Sequence, residues 1–352
     1  MIATSPLARQ HSPKRPAAAW QRELAQAICD PLELCRILRL DPQLVAGSDR
    51  AVRQFPLRVP RGFVRRMRPG DPGDPLLRQV LPLAAESLEV PGFVADPLAE
   101  HAATRAPGLL QKYYGRALLI TTAACAVHCR YCFRREFPYA DAQPEGPRWS
   151  AALDTLAADP SIVELILSGG DPLSLSNARL ARLTGELRRI PHLRRLRLHT
   201  RTPIVLPERI DDELLEWFTC LPWPTVMVVH CNHANEIDDS VREAMALLRA
   251  RGVTVLNQSV LLAEVNDSVQ ALSALSEALW SAGILPYYLH LLDPVRGAAH
   301  FAIPEARAVA LMDELITRLP GYLVPRLVRE RPGAPAKVPV AVSGWDTLHS
   351  LS

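Results

Sequence analysis

From about residue 115 onward, short apolar runs alternate with helix-length amphipathic segments, and this alternation restricts the fold more than any other feature. The runs span 117–122, 162–167, 193–198, 225–229, 253–256 and 285–291; the segments between them span 151–157, 177–189, 211–218, 239–251 and 268–282. About six strands separated by helices predict an α/β fold with a parallel sheet curved into a full or partial barrel. Polar residues follow each run. In order they are Cys125; Ser168, Gly169, Gly170 and Asp171; His199 to Thr202; His230; Gln258; and His290 with Asp293. Catalytic groups in such barrels collect at the C-terminal strand ends, where loops vary over a fixed scaffold, so the site is expected at that rim.

The 352 residues, 48% of them hydrophobic, suffice for one barrel-sized domain with an extra segment, or for two modest domains. A net charge of +3 does not by itself imply a nucleic-acid partner. Arginines cluster at Arg53, Arg58, Arg61, Arg65, Arg66, Arg68 and Arg78, which reads as a solvated face or as a docking surface for an acidic partner. No apolar run of about 18 residues exists, so no membrane span is expected. Residues 1–16 are expected to be disordered and lack the apolar core of a secretory signal, which leaves the cytoplasm as the expected location. Residues 17–108 read as a helical and connector region. Within it, 20–40 reads helical despite Pro31, Cys29 and Cys35 read as core residues, and 59–75 reads as a Pro-, Gly- and Arg-rich connector. The barrel is placed at 109–330, with 331–352 as a C-terminal segment.

Three of seven cysteines fall within eight positions, a pattern unlike a disulfide framework. Cys125, Cys129 and Cys132 form C-x3-C-x2-C after the first barrel strand. Three thiolates on one loop can hold three corners of a [4Fe–4S] cluster and leave the fourth iron open to another ligand. A zinc centre, with His128 or a distant residue as fourth ligand, is the alternative. The spacing, the position after the first strand and Tyr131 before the last cysteine resemble the radical S-adenosylmethionine superfamily. That resemblance implies that S-adenosylmethionine chelates the open iron and is cleaved to a deoxyadenosyl radical. It also implies that Ser168, Gly169, Gly170 and Asp171 form its glycine motif.

Near the chain end, Lys337 lies in a loop rich in glycine and proline. By chemistry alone it is either a solvated surface lysine or an amine able to form a Schiff base with pyridoxal phosphate. The stretches Tyr113 to Arg116, Cys129 to Arg135, Leu167 to Pro172, His230 to Ile237 and Asn257 to Leu262 are together similar to the lysine 2,3-aminomutase family, from about residue 100 to Pro339. The resemblance implies that Lys337 carries pyridoxal phosphate, with Arg116 on its phosphate and Tyr113 beside it. His230 and Gln258 would help position S-adenosylmethionine. Arg134 would pair with the substrate α-carboxylate, a task that suits guanidinium. Asp293 would face the substrate ε-ammonium, with Glu330 where the family has a second aspartate. An acidic pair opposite one arginine suits an amino acid with a cationic tail and disfavours glutamate.

The chain ends 15 residues after Lys337, at Ser352, which under the resemblance leaves out the zinc-binding extension of the longer catabolic enzymes. The compact form is most similar to the EpmB type. That type converts (S)-α-lysine to (R)-β-lysine, which a partner ligase attaches to elongation factor P. The expected partners are therefore L-lysine, an electron donor and that ligase. The alternatives are an aminomutase for another amino acid and a non-catalytic, zinc-stabilised binding barrel.

Overall fold

The computed structural model describes residues 18–142 and 149–341, so the expected disorder of residues 1–16 falls outside them. All six expected strands form, inside one ten-stranded sheet whose spatial order follows the chain. The strands are β1 Thr104–Ala106, β2 Leu109–Tyr113, β3 Arg116–Ile120, β4 Glu164–Ser168, β5 Arg195–Thr200, β6 Thr225–Val229, β7 Thr254–Val260, β8 Leu285–His290, β9 Arg326–Arg329 and β10 Val338–Pro339. From β3 to β9 every neighbouring pair is parallel. Antiparallel strands β1, β2 and β10 extend the two edges. The architecture is a partial α/β barrel of TIM type, one parallel strand longer than expected. Strand β9 hides in the sequence because two arginines flank its two buried residues, Leu327 and Val328.

Strand period and helix period meet at the outer face of the sheet. Leu196 and Leu198 of β5 point outward and are buried, whereas Arg197 and His199 point inward and line a central cavity. Leu180, Leu183 and Leu187 lie on one face of helix Asn177–Leu187 and pack in the core with Leu165, Leu167, Leu196 and Leu198. Side-chain caps set where the crossover helices begin: Asp211 accepts from Leu214 N, Asp238 from Val241 N, and Ser268 from Ala271 N.

The N-terminal region departs from expectation in three places. Residues 20–40 form two helices, Ala19–Ala25 and Pro31–Ile37, because proline lacks the amide that an interior helical position needs and so starts the second helix, capped by Asp30. Cys35 is buried as expected, but Cys29 falls in the break between the helices and is exposed. Nor are the arginines simply a solvated face. Arg66 is nearly enclosed and donates to Asp238 (2.8 Å), Ile204 O (2.6 Å) and Glu236 O (2.8 Å), while Arg61 pairs with Glu33 (2.6 Å). Arg66 thus spends its donors at the contact between this region and the barrel, and Arg61 spends its own within the region.

That region grips the cysteine loop. Phe63, Leu76 and Leu77 share a core with Ala126, Val127, Val205 and Leu206. His128 N donates to Arg58 O and Arg130 N to Gln79 O, each at 2.9 Å. Arg130 is wholly buried and donates to the equally buried Glu86 at 2.6 Å, which also accepts from Arg135 at 2.7 Å.

Candidate active site

Every residue given a role above lines one cavity of about 550 Å³ inside the barrel mouth. The size suits small-molecule and cofactor sites. The structure brings them together from the loops after β3, β4, β6, β8 and β9, joined by Tyr113, Arg116, Ser168 and Gln258 from the strands themselves.

Cys125, Cys129 and Cys132 stand on one wall. Burial pushes the Cys125 thiol up, and the Cys132 thiol up to about 11, with the neighbouring cysteines adding to both. Cys129 Sγ accepts from the Arg201 guanidinium at 2.7 Å. Among the described residues no three His, Cys, Asp or Glu side chains are gathered tightly enough to hold a single metal ion. Three soft sulfur donors on a roomy wall, one already facing a cation, fit a multi-iron cluster.

The glycine motif is pressed against the cysteine loop. Gly170 N donates to Thr122 O (2.7 Å) and Asp171 N to Ala124 O (2.8 Å). A Cβ on Gly169 would sit 2.6 Å from Thr122 O, where φ is already +126°, and one on Gly170 would sit 2.4 Å from Ala124 O. Only glycine permits that approach. Asp171 lines the cavity with the rest of the motif, and its carboxylate is engaged within the protein. It accepts from Leu173 N, Thr200 Oγ1, Arg201 N and Thr202 N at 2.7–3.0 Å, so it braces the loop from within. His230 stacks on Tyr131 and meets its hydroxyl at 3.1 Å; burial and Arg201 push its pKa down to about 3, so the ring is neutral. Gln258 projects from β7 onto the same cavity.

On the same cavity, Lys337 Nζ lies 2.5 Å from Glu330 Oε1 and 3.5 Å from His290 Nε2. Burial pulls the Lys337 pKa down, against the pull of Glu330, which favours the neutral amine a Schiff base requires. Tyr113 and Arg116 face each other across the β2–β3 turn, with the guanidinium 4.7 Å from the ring centre. His199 Nε2 is buried without a partner among the described residues, an unmet polar group on the cavity wall that a bound group would satisfy. The donor set therefore also fits a phosphate-bearing aldehyde cofactor.

Two residues without an expected role dominate the substrate side. Glu100 binds Arg134 in a fork, at 2.7 Å to Nε and 2.8 Å to Nη2, while Arg134 Nη1 donates to Ser168 Oγ (3.1 Å). Lys112 of β2 joins Glu100 (3.0 Å) to Glu330 (3.3 Å) and so ties the first edge of the sheet to the loop after β9. Both oxygens of Glu330 are thus taken by chain lysines, so its expected contact with a substrate ammonium is not preformed. Asp293 differs: burial, then Glu330, push its pKa up to about 7. Sequence gives no signal for Glu100, an isolated acid in a turn, and only a charged inward position for Lys112.

No family model matches the chain. Among curated proteins, the L-lysine 2,3-aminomutase of Escherichia coli (strain K12) is 51% identical over 91% of this chain and 94% of its own length. That of Haemophilus influenzae is 47% identical over 90% and 94%, and that of Clostridium subterminale 33% identical over 91% and 77%. A solved structure described as native anSMEcpe with bound AdoMet and Kp18Cys peptide covers 57% of this chain and 58% of its own, at 10% identity and a TM-score of 0.41, too slight a likeness to argue from.

Proposed function

The chain belongs to the lysine 2,3-aminomutase family of isomerases, and from that premise we propose that it converts L-lysine to (R)-β-lysine by a radical mechanism. The observation that carries the proposal is that the thiols of Cys125, Cys129 and Cys132 and the amine of Lys337 open onto the same cavity, with Arg134 and Asp293 also on its wall. A [4Fe–4S] cluster, S-adenosylmethionine and pyridoxal phosphate, when bound, supply one-electron chemistry and an electron sink that no side chain here provides.

The chain's own residues bind, orient and exclude water. Cys125, Cys129 and Cys132 hold the cluster; Ser168, Gly169, Gly170, His230 and Gln258 bound the space for S-adenosylmethionine. Lys337 offers an amine whose pKa burial pulls down, and Glu330 stays ionised, its pKa pulled down to about 2 mainly by Lys337 and Lys112, so it pairs with the charge whenever Lys337 is protonated. Arg116 and Tyr113 form the phosphate end of the pyridoxal site. Arg134, its angle fixed by Glu100, takes the substrate carboxylate on its remaining N–H groups. Asp293 takes the ε-ammonium. We keep the division into an N-terminal region (17–108), a barrel (109–330) and a lysine-bearing segment (331–352) as a proposal; strands β1 and β10 of the sheet lie outside the middle part.

We assign the product to a ligase that loads elongation factor P, the cluster to an unidentified electron donor, and the chain to the cytoplasm without a nucleic-acid partner. No helix among the described residues is long and apolar enough to cross a membrane. The test is anaerobic reconstitution with iron, sulfide, pyridoxal phosphate and dithionite, followed by assay of L-lysine turnover with S-adenosylmethionine. β-Lysine is the expected product. Turnover of glutamate or ornithine in its place would reassign the substrate, and protein holding only zinc would overturn the reading.

A further inference from the structure

The end of β5 is tied in two directions. Its backbone and Thr200 side chain bind the Asp171 carboxylate and so fix the glycine motif. The Arg201 side chain turns toward the cysteine loop, where Nη1 donates to Cys129 Sγ and to Tyr131 Oη, both at 2.7 Å. Nη2 donates to Gln79 Oε1 at 2.6 Å and to Glu236 Oε2 at 2.9 Å. Gln79, from the N-terminal region, is wholly buried, and its amide also donates to Glu236 at 3.1 Å. The guanidinium, 6% exposed, is therefore aimed by an acid and an amide at one sulfur.

We propose that Arg201 is a positioning residue that raises the reduction potential of the cluster through the Cys129 sulfur. The proposal rests on the reading that Cys125, Cys129 and Cys132 hold a [4Fe–4S] cluster. Reduction adds one electron and makes the sulfurs more negative. A cationic donor 2.7 Å away, shielded from water, stabilises that reduced form more than the oxidised one. Glu236 opposes the effect by partly neutralising the cation, and Gln79 keeps the guanidinium in place between them. The N-terminal region thus acts on the chemistry as well as covering the barrel. Because the same three residues, Thr200 to Thr202, hold Asp171, the geometry of the glycine motif and the electronics of the cluster share one support.

The experiment is a dye-mediated redox titration, read by electron paramagnetic resonance, on anaerobically reconstituted wild type, Arg201→Gln, Arg201→Lys and Glu236→Gln, with iron, sulfide and circular dichroism measured on each. Arg201→Gln is expected to lower the reduced-to-oxidised ratio at a fixed potential about tenfold, a downward shift of ~59 mV for one electron. Arg201→Lys, which keeps charge but loses the fork, should shift the same way by less. Glu236→Gln should shift upward, because the cation then faces Cys129 without its counter-charge. Should Arg201→Gln fail to fold, the opposed signs of the other two still decide. An unchanged potential at full iron content, or shifts of one sign in all variants, overturns the proposal. Loss of iron from both arginine variants with unchanged circular dichroism overturns it too, and makes Arg201 an assembly residue. A wild type without a four-iron cluster removes the functional reading first.

Discussion

Asp293 should impose a pH limb on lysine turnover that Glu330 does not. Its carboxyl titrates at about 7 instead of 3.8, because burial and then Glu330 disfavour the charge more than Lys337 and Lys112 favour it. That gap corresponds to roughly 4 kcal/mol against ionising Asp293 in the ligand-free cavity. A substrate ammonium reverses the balance, but below pH 7 it must first displace the proton. Accordingly kcat/KM for L-lysine should rise up to about tenfold per unit between pH 5.5 and 7, then break toward a plateau. Glu330, pulled down to about 2, stays ionised over this range and contributes no limb. In Asp293→Asn the break near 7 should vanish and the plateau should fall about ten- to hundredfold, the size of a lost hydrogen bond to a charged group (about 1.5–3 kcal/mol). The sign for stability is opposite. A carboxyl with a raised pKa holds its proton in the folded chain between about pH 4 and 7, while the unfolded chain has lost it. This group therefore makes the ligand-free fold less stable as pH rises through that window. Ligand-free Asp293→Asn should melt no lower than wild type at pH 8. Steady-state kinetics on both proteins from pH 5.5 to 8.5 decide the matter; a break that persists in the variant, or a flat wild-type profile, refutes the argument.

Three further outcomes are expected. Lys337→Ala should abolish the borohydride-reducible pyridoxal adduct while iron content stays at the wild-type value. Gly170→Ala places a Cβ 2.4 Å from Ala124 O, where only backbone could yield. It should cost about 1–3 kcal/mol by thermal melting and remove the spectral response of the cluster to S-adenosylmethionine. Glu86→Ala leaves Arg130 and Arg135 buried without their carboxylate and should cost about 3–5 kcal/mol, lowering the melting temperature and loosening the cysteine loop enough to lose iron.

The parallel strands were legible because each buries one face against helices, which writes apolar residues at regular intervals. Strand β9 was not, since only Leu327 and Val328 of its four residues are buried. Cysteine spacing and the strand-end polar groups announced themselves by position after predicted strands, whereas Lys337, which follows the unpredicted β9, was singled out only by the family resemblance. What stayed hidden is pairing across long separations. Gln79 meets Arg201 122 positions away, Glu100 meets Arg134 34 positions away, and Lys112 meets Glu330 218 positions away. Nothing local in a sequence marks such partners, because burial creates their need for one another only after the chain has folded. The misplaced Cys29 has a local origin instead: two residues before Pro31, it reads as part of one helix until the missing amide divides that helix.

Three neighbouring thiolates holding a four-iron cluster would leave one iron vacant for a sulfonium ligand. That vacancy is tested most directly by adding S-adenosylmethionine to oxygen-free, dithionite-reduced protein and recording the electron paramagnetic resonance spectrum beside an iron and sulfide count. About four irons and four sulfides per chain are expected, with a spectrum altered by the additive. Zinc in place of iron, or a four-iron signal indifferent to S-adenosylmethionine, would contradict it.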